Sequence, residues 1–442
     1  MYHEPHFSSR KELVPLGQPR YTFTMQRFNG IELKKITLNT LFQFLIRLST
    51  SFSTLIATLL IAYLSGYELL GSFTKIVAFV SVFYLIVDFG MNPMFLKTYF
   101  QSIEKNLGNL LVLRVIMSLL IIPIVCFIAL TLPYNPTHSS GFSPLEKNGI
   151  LIFSLTILTM AIQISLQTLL QKNLAYKLSI LPSFISSIVL IGLIYVGVTQ
   201  DNLPLILFAY VLAGGVVCVL LGLLLKGVFS LRLTLHKFIP FAKNLFLLSL
   251  PLGVMIVFNV MYSKSDIFLI ALFQSNKDVG TYGISYRFFE VAISIPTFLS
   301  NSIYPLLLDK LTNSKDYTAL LRKYLQLFGA FSVAGTVLVV FFSPILQIIK
   351  PEFVTSVAPL QILSLSIPFF FLTSLLQWHF LIKGKMKFLV LLYFFALVTS
   401  IILNLIFIPK YSYMAAAIIT VFSEGLVFFA MLWYFRETNR PQ

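Results

Sequence analysis

Residues 178–198 read LSILPSFISSIVLIGLIYVGV, and after a short polar turn the chain continues with PLILFAYVLAGGVVCVLLGLLL at 204–225. Neither run contains Asp, Glu, Lys or Arg. Each is close to the ~20 residues that a helix needs to cross the hydrocarbon core of a bilayer. Because runs of this kind recur along the chain, the sequence predicts an all-α, polytopic membrane protein.

About twelve such spans are expected from the positions of the apolar runs. They lie at 38–64, 71–95, 108–132, 148–170, 178–198, 204–225, 244–273, 281–306, 324–347, 357–381, 386–408 and 412–435. The chain is 57% hydrophobic and 11% charged. An ordinary soluble domain carries about 25% charged residues, so composition excludes that class. The first apolar run follows a polar leader and has no cleavage site after it, so no signal peptide is expected.

The charge distribution predicts the orientation of the chain. The net charge is +16, but most charges lie in the short loops between spans, which argues against a nucleic-acid partner. With the N-terminus in the cytoplasm, 23 of the 32 Lys and Arg residues fall on the cytoplasmic side and 4 fall outside. The positive-inside rule therefore places both termini in the cytoplasm. The expected parts are a leader 1–36, an N-terminal lobe 37–226, a linker 227–243, a C-terminal lobe 244–435 and a tail 436–442.

A faint internal repeat supports the division into two lobes of six spans. Residues 61–73 align with residues 270–282 without gaps, and each stretch joins the first and second span of its lobe. An even number of spans gives both lobes the same orientation. Parallel repeats of this kind surround a central cavity in many transporters.

Charged residues within the spans are the candidate functional residues, because a charge in mid-bilayer costs about 2.5–3.5 kcal/mol and usually faces a cavity or a partner. We predict a polar, net cationic central cavity. The cations, proposed to bind substrate, are Arg47, Lys75, Arg114, Lys264 and Arg287; the cavity or coupling carboxylates are Asp88, Asp266, Glu290 and Glu424.

Several of these residues also have a structural explanation. Lys75 and Arg114 lie near span ends, where long side chains reach the interface, and Asp88 lies near an inner end. Arg287 and Glu290 are three apart on one helix face and can form an ion pair. Lys264 and Asp266 are two apart and point to opposite faces, so one of them needs a partner from another span.

Motifs for catalysis are missing from the sequence. It contains no G-x-x-x-x-G-K-[ST] loop for ATP, no nucleophile elbow and no metal-binding motif. Its two cysteines, Cys126 and Cys218, both lie within apolar runs, which is typical of small buried side chains. The sequence therefore favours a secondary transporter with no catalytic residue, no metal and no cofactor.

Four stretches resemble bacterial flippases for lipid-linked oligosaccharides. These are the Wzx-type, polysaccharide-transporter branch of the multidrug/oligosaccharidyl-lipid/polysaccharide exporter superfamily. The stretches are 63–90 with Asp88-Phe89-Gly90, 262–266, 278–282 and 403–417. Their order and spacing cover all twelve spans. Lys264 stands where the family often has Arg, and Ser412 where it often has Gly.

The resemblance implies two six-helix lobes, similar to multidrug exporters of this superfamily, around a cavity that opens alternately to each side. It implies an undecaprenyl-pyrophosphate-linked repeat unit as cargo, for O-antigen, capsule or exopolysaccharide assembly. It also implies the bacterial inner membrane as location, membrane lipid as a partner, and polysaccharide polymerase and chain-length proteins as candidate partners. The alternatives are a cation-coupled multidrug exporter, a peptidoglycan-precursor flippase and a membrane-embedded glycosyltransferase or ligase.

Overall fold

The computed structural model describes residues 30–228, 237–309 and 314–438. Most of the leader, the middle of the linker and the last residues of the tail lie outside these ranges. The described residues form thirteen α-helices and one short hairpin. The helices are α1 (Gly30–Asp88), α2 (Met91–Tyr99), α3 (Ile103–Thr131), α4 (Pro144–Lys172), α5 (Lys177–Thr199), α6 (Leu203–Val228), α7 (Phe238–Phe273), α8 (Asn276–Asp309), α9 (Ser314–Phe342), α10 (Ile345–Ile349), α11 (Val354–Ser364), α12 (Ile367–Ile382) and α13 (Met386–Thr438).

Eight of the described helices are long and apolar enough to cross a membrane, or nine when the bent pair 351–364 and 367–382 counts as one span. Two of the eight, α1 and α13, have 59 and 53 residues. At 1.5 Å per residue such helices are more than twice as long as a bilayer core of about 30 Å is thick. Each is interrupted by one residue with a left-handed φ, Gly66 (80°) and Ser412 (51°).

Contacts show that α1 folds back at Gly66. The Tyr176 amide donates to Asn39, and the Ser65 hydroxyl donates to Asp201 (2.7 Å), so residues 39–65 of α1 run beside α5. The second segment returns toward the end of the molecule where α1 began, and its last residue, Asp88, pairs there with Arg114 of α3. The helices coincide with the twelve predicted spans when α1 and α13 are each counted as two segments, α11 and α12 as one bent span, and α8 as a further span.

Two predicted spans differ from the observed helices in detail. The span predicted over 71–95 ends at Asp88, since Phe89 and Gly90 have positive φ and the separate helix α2 follows. The span predicted over 357–381 is bent by 43° between α11 and α12.

The chain reversals define two faces of the molecule. Gly66, the hairpin at 134–141 and the turns at Asp201 and Gln274 lie on one face, here called the hairpin face. Lys350 belongs to it, since its ammonium donates to the Tyr63 carbonyl. The positive-inside rule predicts that this face is the outer one.

The aligned repeats meet each other on the hairpin face. The aligned pairs are Tyr67 with Asn276 and Gly71 with Gly280, and the same offset pairs Thr74 with Gly283 just beyond the aligned stretch. Gly71 lies against the Asn276 carbonyl, and Gly280 lies against the Tyr67 carbonyl, so closely that a Cβ on either glycine would overlap the backbone opposite. Thr74 and Gly283 face each other. Such exchanged contacts are those of an approximate two-fold axis between the N-terminal half (30–228) and the C-terminal half (237–438).

Candidate substrate site between the two halves

A cluster of three charged side chains lies where α7 and α8 adjoin. The Lys264 ammonium forms an ion pair with Glu290, and Arg287 Nη1 lies 2.7 Å from the other Glu290 oxygen. Lys264 also lies 4.7 Å from the centre of the Tyr286 ring, within cation–π range. The cluster therefore holds two cations and one carboxylate, and we name these three residues the α7–α8 cluster.

The α7–α8 cluster is partly exposed. The side chains of Lys264, Arg287 and Glu290 are 21%, 23% and 27% exposed. The sequence prediction that Lys264 or Asp266 requires a partner from another span is confirmed, since Glu290 belongs to α8. Because one carboxylate cannot neutralise two cations, the three residues carry a formal net charge of +1.

That space lies between the two halves. Phe268 is one turn after Lys264 on the same face of α7, and it stacks on Phe79 of the N-terminal half with ring centres 6.2 Å apart. Arg287 lies beside Tyr210, a residue of α6 in the N-terminal half. Both helices of the cluster thus present their charges toward the other half.

Arg47 lies farther toward the opposite face and is exposed. Its guanidinium is 5.3 Å from the centre of the Phe298 ring on α8. Phe298 is eleven residues beyond Arg287, which separates the two positions by about 16 Å along the helix. Thr50 and Thr54 share the helix side of Arg47, whereas the exposed apolar side chains Leu45, Phe52 and Ile56 lie on the other side.

Arg114, in contrast, lies within the packing of the N-terminal half. Its side chain is fully buried, and Nη2 lies 2.7 Å from Asp88 Oδ1. Nη1 donates to Ser165 (3.2 Å), and Nη2 also donates to Asn92 (3.4 Å). In this conformation Arg114 is not part of the accessible cluster, and Asp88, 27% exposed, is its partner.

Lys75 is also fully buried in this half. Its ammonium lies 3.7 Å from Glu146 and donates to the backbone carbonyls of Gly141 (2.7 Å) and Ser139 (3.3 Å). Sequence reasoning did not single out Glu146. A signal was present, since Ser143-x-x-Glu146 is a capping box at the start of α4.

Asp266 and Glu424 line a small cavity inside the C-terminal half, together with Tyr262, Ser400 and Thr420. Both carboxylates are buried, and Asp266 accepts hydrogen bonds from Tyr282, Thr420 and its neighbouring amide. Within 30–228, 237–309 and 314–438, neither residue forms an ion pair. Buried carboxylates that form no ion pair favour uptake of a proton or a small cation.

Clusters suited to a transition metal are not found in the described part of the chain, where no three His, Cys, Asp or Glu side chains converge. The predicted residues therefore divide into three groups. Lys264, Arg287 and Glu290 meet at the interface with Arg47 farther along it, Lys75 and Arg114 with Asp88 are paired in the N-terminal half, and Asp266 and Glu424 share the cavity of the C-terminal half.

Comparison with known proteins gives one family and a set of structural neighbours. The family model described as "Polysaccharide biosynthesis protein" matches residues 60–349. No protein of curated function matches the sequence. The fold is similar to the structure titled "Lipid II flippase MurJ, inward closed conformation", with a TM-score of 0.69, 18% identity, and coverage of 89% of this chain and 87% of that chain.

Multidrug transporters share the fold as well. An inward-facing multidrug resistance MATE family transporter of the MOP superfamily aligns with a TM-score of 0.68, 12% identity, and coverage of 90% and 99% of the two chains. A MOP superfamily transporter from Pyrococcus furiosus, described as having a binding pocket of reverse polarity, aligns with a TM-score of 0.63, 13% identity, and coverage of 93% and 98%. At these identities the likeness concerns the fold.

Proposed function

The chain belongs to the family of polysaccharide biosynthesis proteins, and we propose that it is a flippase for undecaprenyl-pyrophosphate-linked oligosaccharide repeat units. The cargo would pass from the cytoplasmic to the outer leaflet by alternating access, for assembly of O-antigen, capsule or exopolysaccharide. The observation that carries the proposal is the α7–α8 cluster, which is accessible, net positive and located between the halves.

The chemistry of this cargo fits the cluster. A pyrophosphate is anionic and cannot enter hydrocarbon without groups that replace its water. Lys264 and Arg287 can donate charge-assisted hydrogen bonds to phosphate oxygens, and a guanidinium does so bidentately. Glu290 holds both cations in place while the site is empty. The polyprenyl tail can remain in lipid while the headgroup crosses.

Arg47 would form a second cationic position on the same path. It is exposed, lies nearer the predicted cytoplasmic side and is about 16 Å from Arg287 along α8. A headgroup entering from the cytoplasm would meet Arg47 first and the α7–α8 cluster afterwards. This order assigns entry to Arg47 and passage through the centre to Lys264 and Arg287.

Asp266 and Glu424 would supply the coupling. Two carboxylates in one buried cavity repel each other unless a proton or cation is present. Because Asp266 is two residues from Lys264 on α7, a change in its charge state can reach the cargo site through one helix. Asp88, the predicted cavity carboxylate of the N-terminal half, is instead paired with Arg114.

The proposed location is the bacterial inner membrane with both termini in the cytoplasm. The proposed partners are the lipid-linked cargo and membrane lipid, with the polysaccharide polymerase and chain-length proteins beside them. A peptidoglycan-precursor flippase is the second candidate, favoured by the structural neighbour that is a lipid II flippase. The two candidates share the lipid pyrophosphate and differ in the sugar.

The test is the accumulation of lipid-linked saccharide in a strain that lacks the gene. The strain is complemented with wild type, Arg47→Ala or Lys264→Ala at equal membrane levels, and with Lys277→Ala as a matched control. Lys277 is an exposed lysine on the hairpin face, outside the cluster. We expect cytoplasm-facing repeat units to accumulate in the deletion strain, full relief by wild type and by Lys277→Ala, partial relief by Arg47→Ala, and the least relief by Lys264→Ala.

Other results would change the conclusion. Accumulated peptidoglycan precursor would establish the second candidate. Increased drug sensitivity without any saccharide intermediate would replace the flippase with a multidrug exporter. Full relief by both Arg47→Ala and Lys264→Ala would leave the function intact and remove these two residues from the site.

A further inference from the structure

The loop between α3 and α4 contains a hairpin that sequence reasoning did not predict. Its strands are β1 (Tyr134–Asn135) and β2 (Ser140–Gly141), which pair antiparallel. Gly141 has a φ of 78°, and a Cβ there would overlap the Pro133 carbonyl. The Phe142 amide donates to that same carbonyl (2.9 Å). The hairpin, residues 133–143, therefore has a defined shape on the hairpin face.

Lys75 anchors the hairpin to the N-terminal half. Its ammonium comes from the second segment of α1 and donates to the carbonyls of Gly141 and Ser139. Glu146, which faces the same ammonium, also accepts a hydrogen bond from the Ser143 amide (2.6 Å) at the start of α4. One buried ion pair thus connects α1, the hairpin and α4.

The hairpin also contacts the C-terminal half. Strand β2 packs on α7. The fully buried Phe142 ring lies 5.8 Å from Phe79 of α1 and 6.4 Å from Phe268 of α7, centre to centre. These three rings form one cluster with members from both halves, and Phe142 is the member that the hairpin contributes.

This ring cluster lies directly outward of the α7–α8 cluster. Phe268 is four residues after Lys264, so it lies one helical turn nearer the hairpin face on the same side of α7. A headgroup at Lys264 could not reach the hairpin face past Phe268 while Phe142 and Phe79 cover that position. For the site to open outward, Phe268 must separate from Phe142, from Phe79 or from both.

We propose that the hairpin 133–143 is a gate that moves with the N-terminal half, closes the outer end of the cargo site by seating Phe142 on α7, and is held in shape by Lys75. The gate rests on the proposed alternating-access function. Lys75 acts through the hairpin and touches no cargo, which makes it a positioning residue. It is a cation with a task different from that of Lys264.

Cross-links within and between the halves test the gate. Cys126 and Cys218 are unpaired and are first replaced by alanine. One variant then carries Phe142→Cys with Phe268→Cys, across the halves, and the matched control carries Phe142→Cys with Phe79→Cys, within one half. We expect the cross-link to Phe268→Cys to slow clearance of lipid-linked saccharide by about tenfold or more, reversibly with reductant, and the control cross-link to leave clearance intact.

Two outcomes would overturn this proposal. Normal clearance with the hairpin cross-linked to α7 would show that the hairpin does not need to leave α7. Arrest by both cross-links would show that the hairpin does not move as part of the N-terminal half. Every variant is compared with its own reduced form at the same membrane level, so that a folding defect is not counted as arrest.

A labelling experiment tests Lys75 without any cargo. Phe268→Cys in the cysteine-free chain is treated from outside with a membrane-impermeant thiol reagent. We expect Lys75→Met to speed labelling severalfold and Lys75→Arg to change it little. Where Lys75→Met lowers the amount of protein, Lys75→Met/Glu146→Gln is measured instead, since it leaves no unpaired charge. An unchanged rate in the measured variant overturns the role of Lys75. Faster labelling in a chain that clears no saccharide would keep the gate and reject the proposed cargo.

Discussion

The two halves of the molecule both carry charged side chains within their membrane-crossing helices, but in different surroundings. In the N-terminal half, Lys75 and Arg114 are fully buried, and each has its own carboxylate. In the C-terminal half, Lys264 and Arg287 share Glu290, and all three are between a fifth and a third exposed. A fully buried cation with a carboxylate of its own holds helices together, whereas two partly exposed cations that share one carboxylate have charge available for a ligand.

Removal of Arg114 should have the largest effect and should act on stability. Arg114→Met leaves Asp88, which is 27% exposed, without its partner, so the cost of about 3–5 kcal/mol for breaking a fully buried ion pair is the upper bound of the loss. We expect a large drop in the thermal unfolding temperature of the detergent-purified protein and in its membrane level. Arg114→Met/Asp88→Asn should recover most of the loss. A single variant as stable as wild type would contradict the structural role.

Removal of Lys264 should have the second-largest effect, and this effect should be on transport and not on stability. Lys264→Met leaves Glu290 paired with Arg287, so we expect the free energy of unfolding to change by less than about 1 kcal/mol. A lost charge-assisted hydrogen bond of about 1.5–3 kcal/mol corresponds to a roughly 10- to 140-fold slower clearance of lipid-linked saccharide. Lys277→Met is the control. If Lys264→Met lowered stability and left transport intact, the charged residues of both halves would have the same structural role.

Neutralising Glu290 should have a smaller effect than removing Lys264, and it should strengthen ligand binding where the loss of Lys264 weakens it. Glu290→Gln frees both cations from their shared carboxylate, so the affinity for a short-chain prenyl pyrophosphate should rise severalfold, or by about 1 kcal/mol. Binding to the purified protein measures this directly. The increase should fade in Lys264→Met/Glu290→Gln. Weaker binding in Glu290→Gln would show that the carboxylate itself contacts the ligand.

Arg47→Gln should have the smallest effect. Arg47 is exposed, so its attraction for an anion is screened by salt. We expect about a threefold decrease in the initial rate of flipping in proteoliposomes at low ionic strength, and almost none at high ionic strength. An effect that persists at high salt would show that Arg47 contacts the headgroup in a buried position, as proposed for Lys264.

Sequence patterns predict the helices of this fold well. The span predicted at 178–198 is observed as Lys177–Thr199, and the one at 108–132 as Ile103–Thr131. Hydropathy succeeds because each span must be apolar over a fixed length, whatever surrounds it. It does not reveal the hairpin, since strands of two residues have no alternation to detect.

Sequence patterns predict the charged residues of the site but not their surroundings. The i,i+3 spacing of Arg287 and Glu290 was sufficient to expect their pair, because both lie on one helix. Lys75 and Glu146 are 71 positions apart, and nothing local indicates that they meet. A charge within a span reveals that a partner or a cavity exists. Only the packing of other helices decides which of the two it is.

The exchanged contact of Gly71 and Gly280 also bears on the origin of the chain. Two identical six-helix units that met across a two-fold axis would form it twice, once for each copy, and a residue on that axis would face its own duplicate. Thr74 and Gly283 occupy such a position, and a Cβ at 283 would come within 2.8 Å of the Thr74 hydroxyl. Two equal units would have to place the same residue on both sides, two threonines or two glycines. A single fused chain is free of that restriction, so duplication followed by fusion permits a hydroxyl on one side and an empty space to receive it on the other.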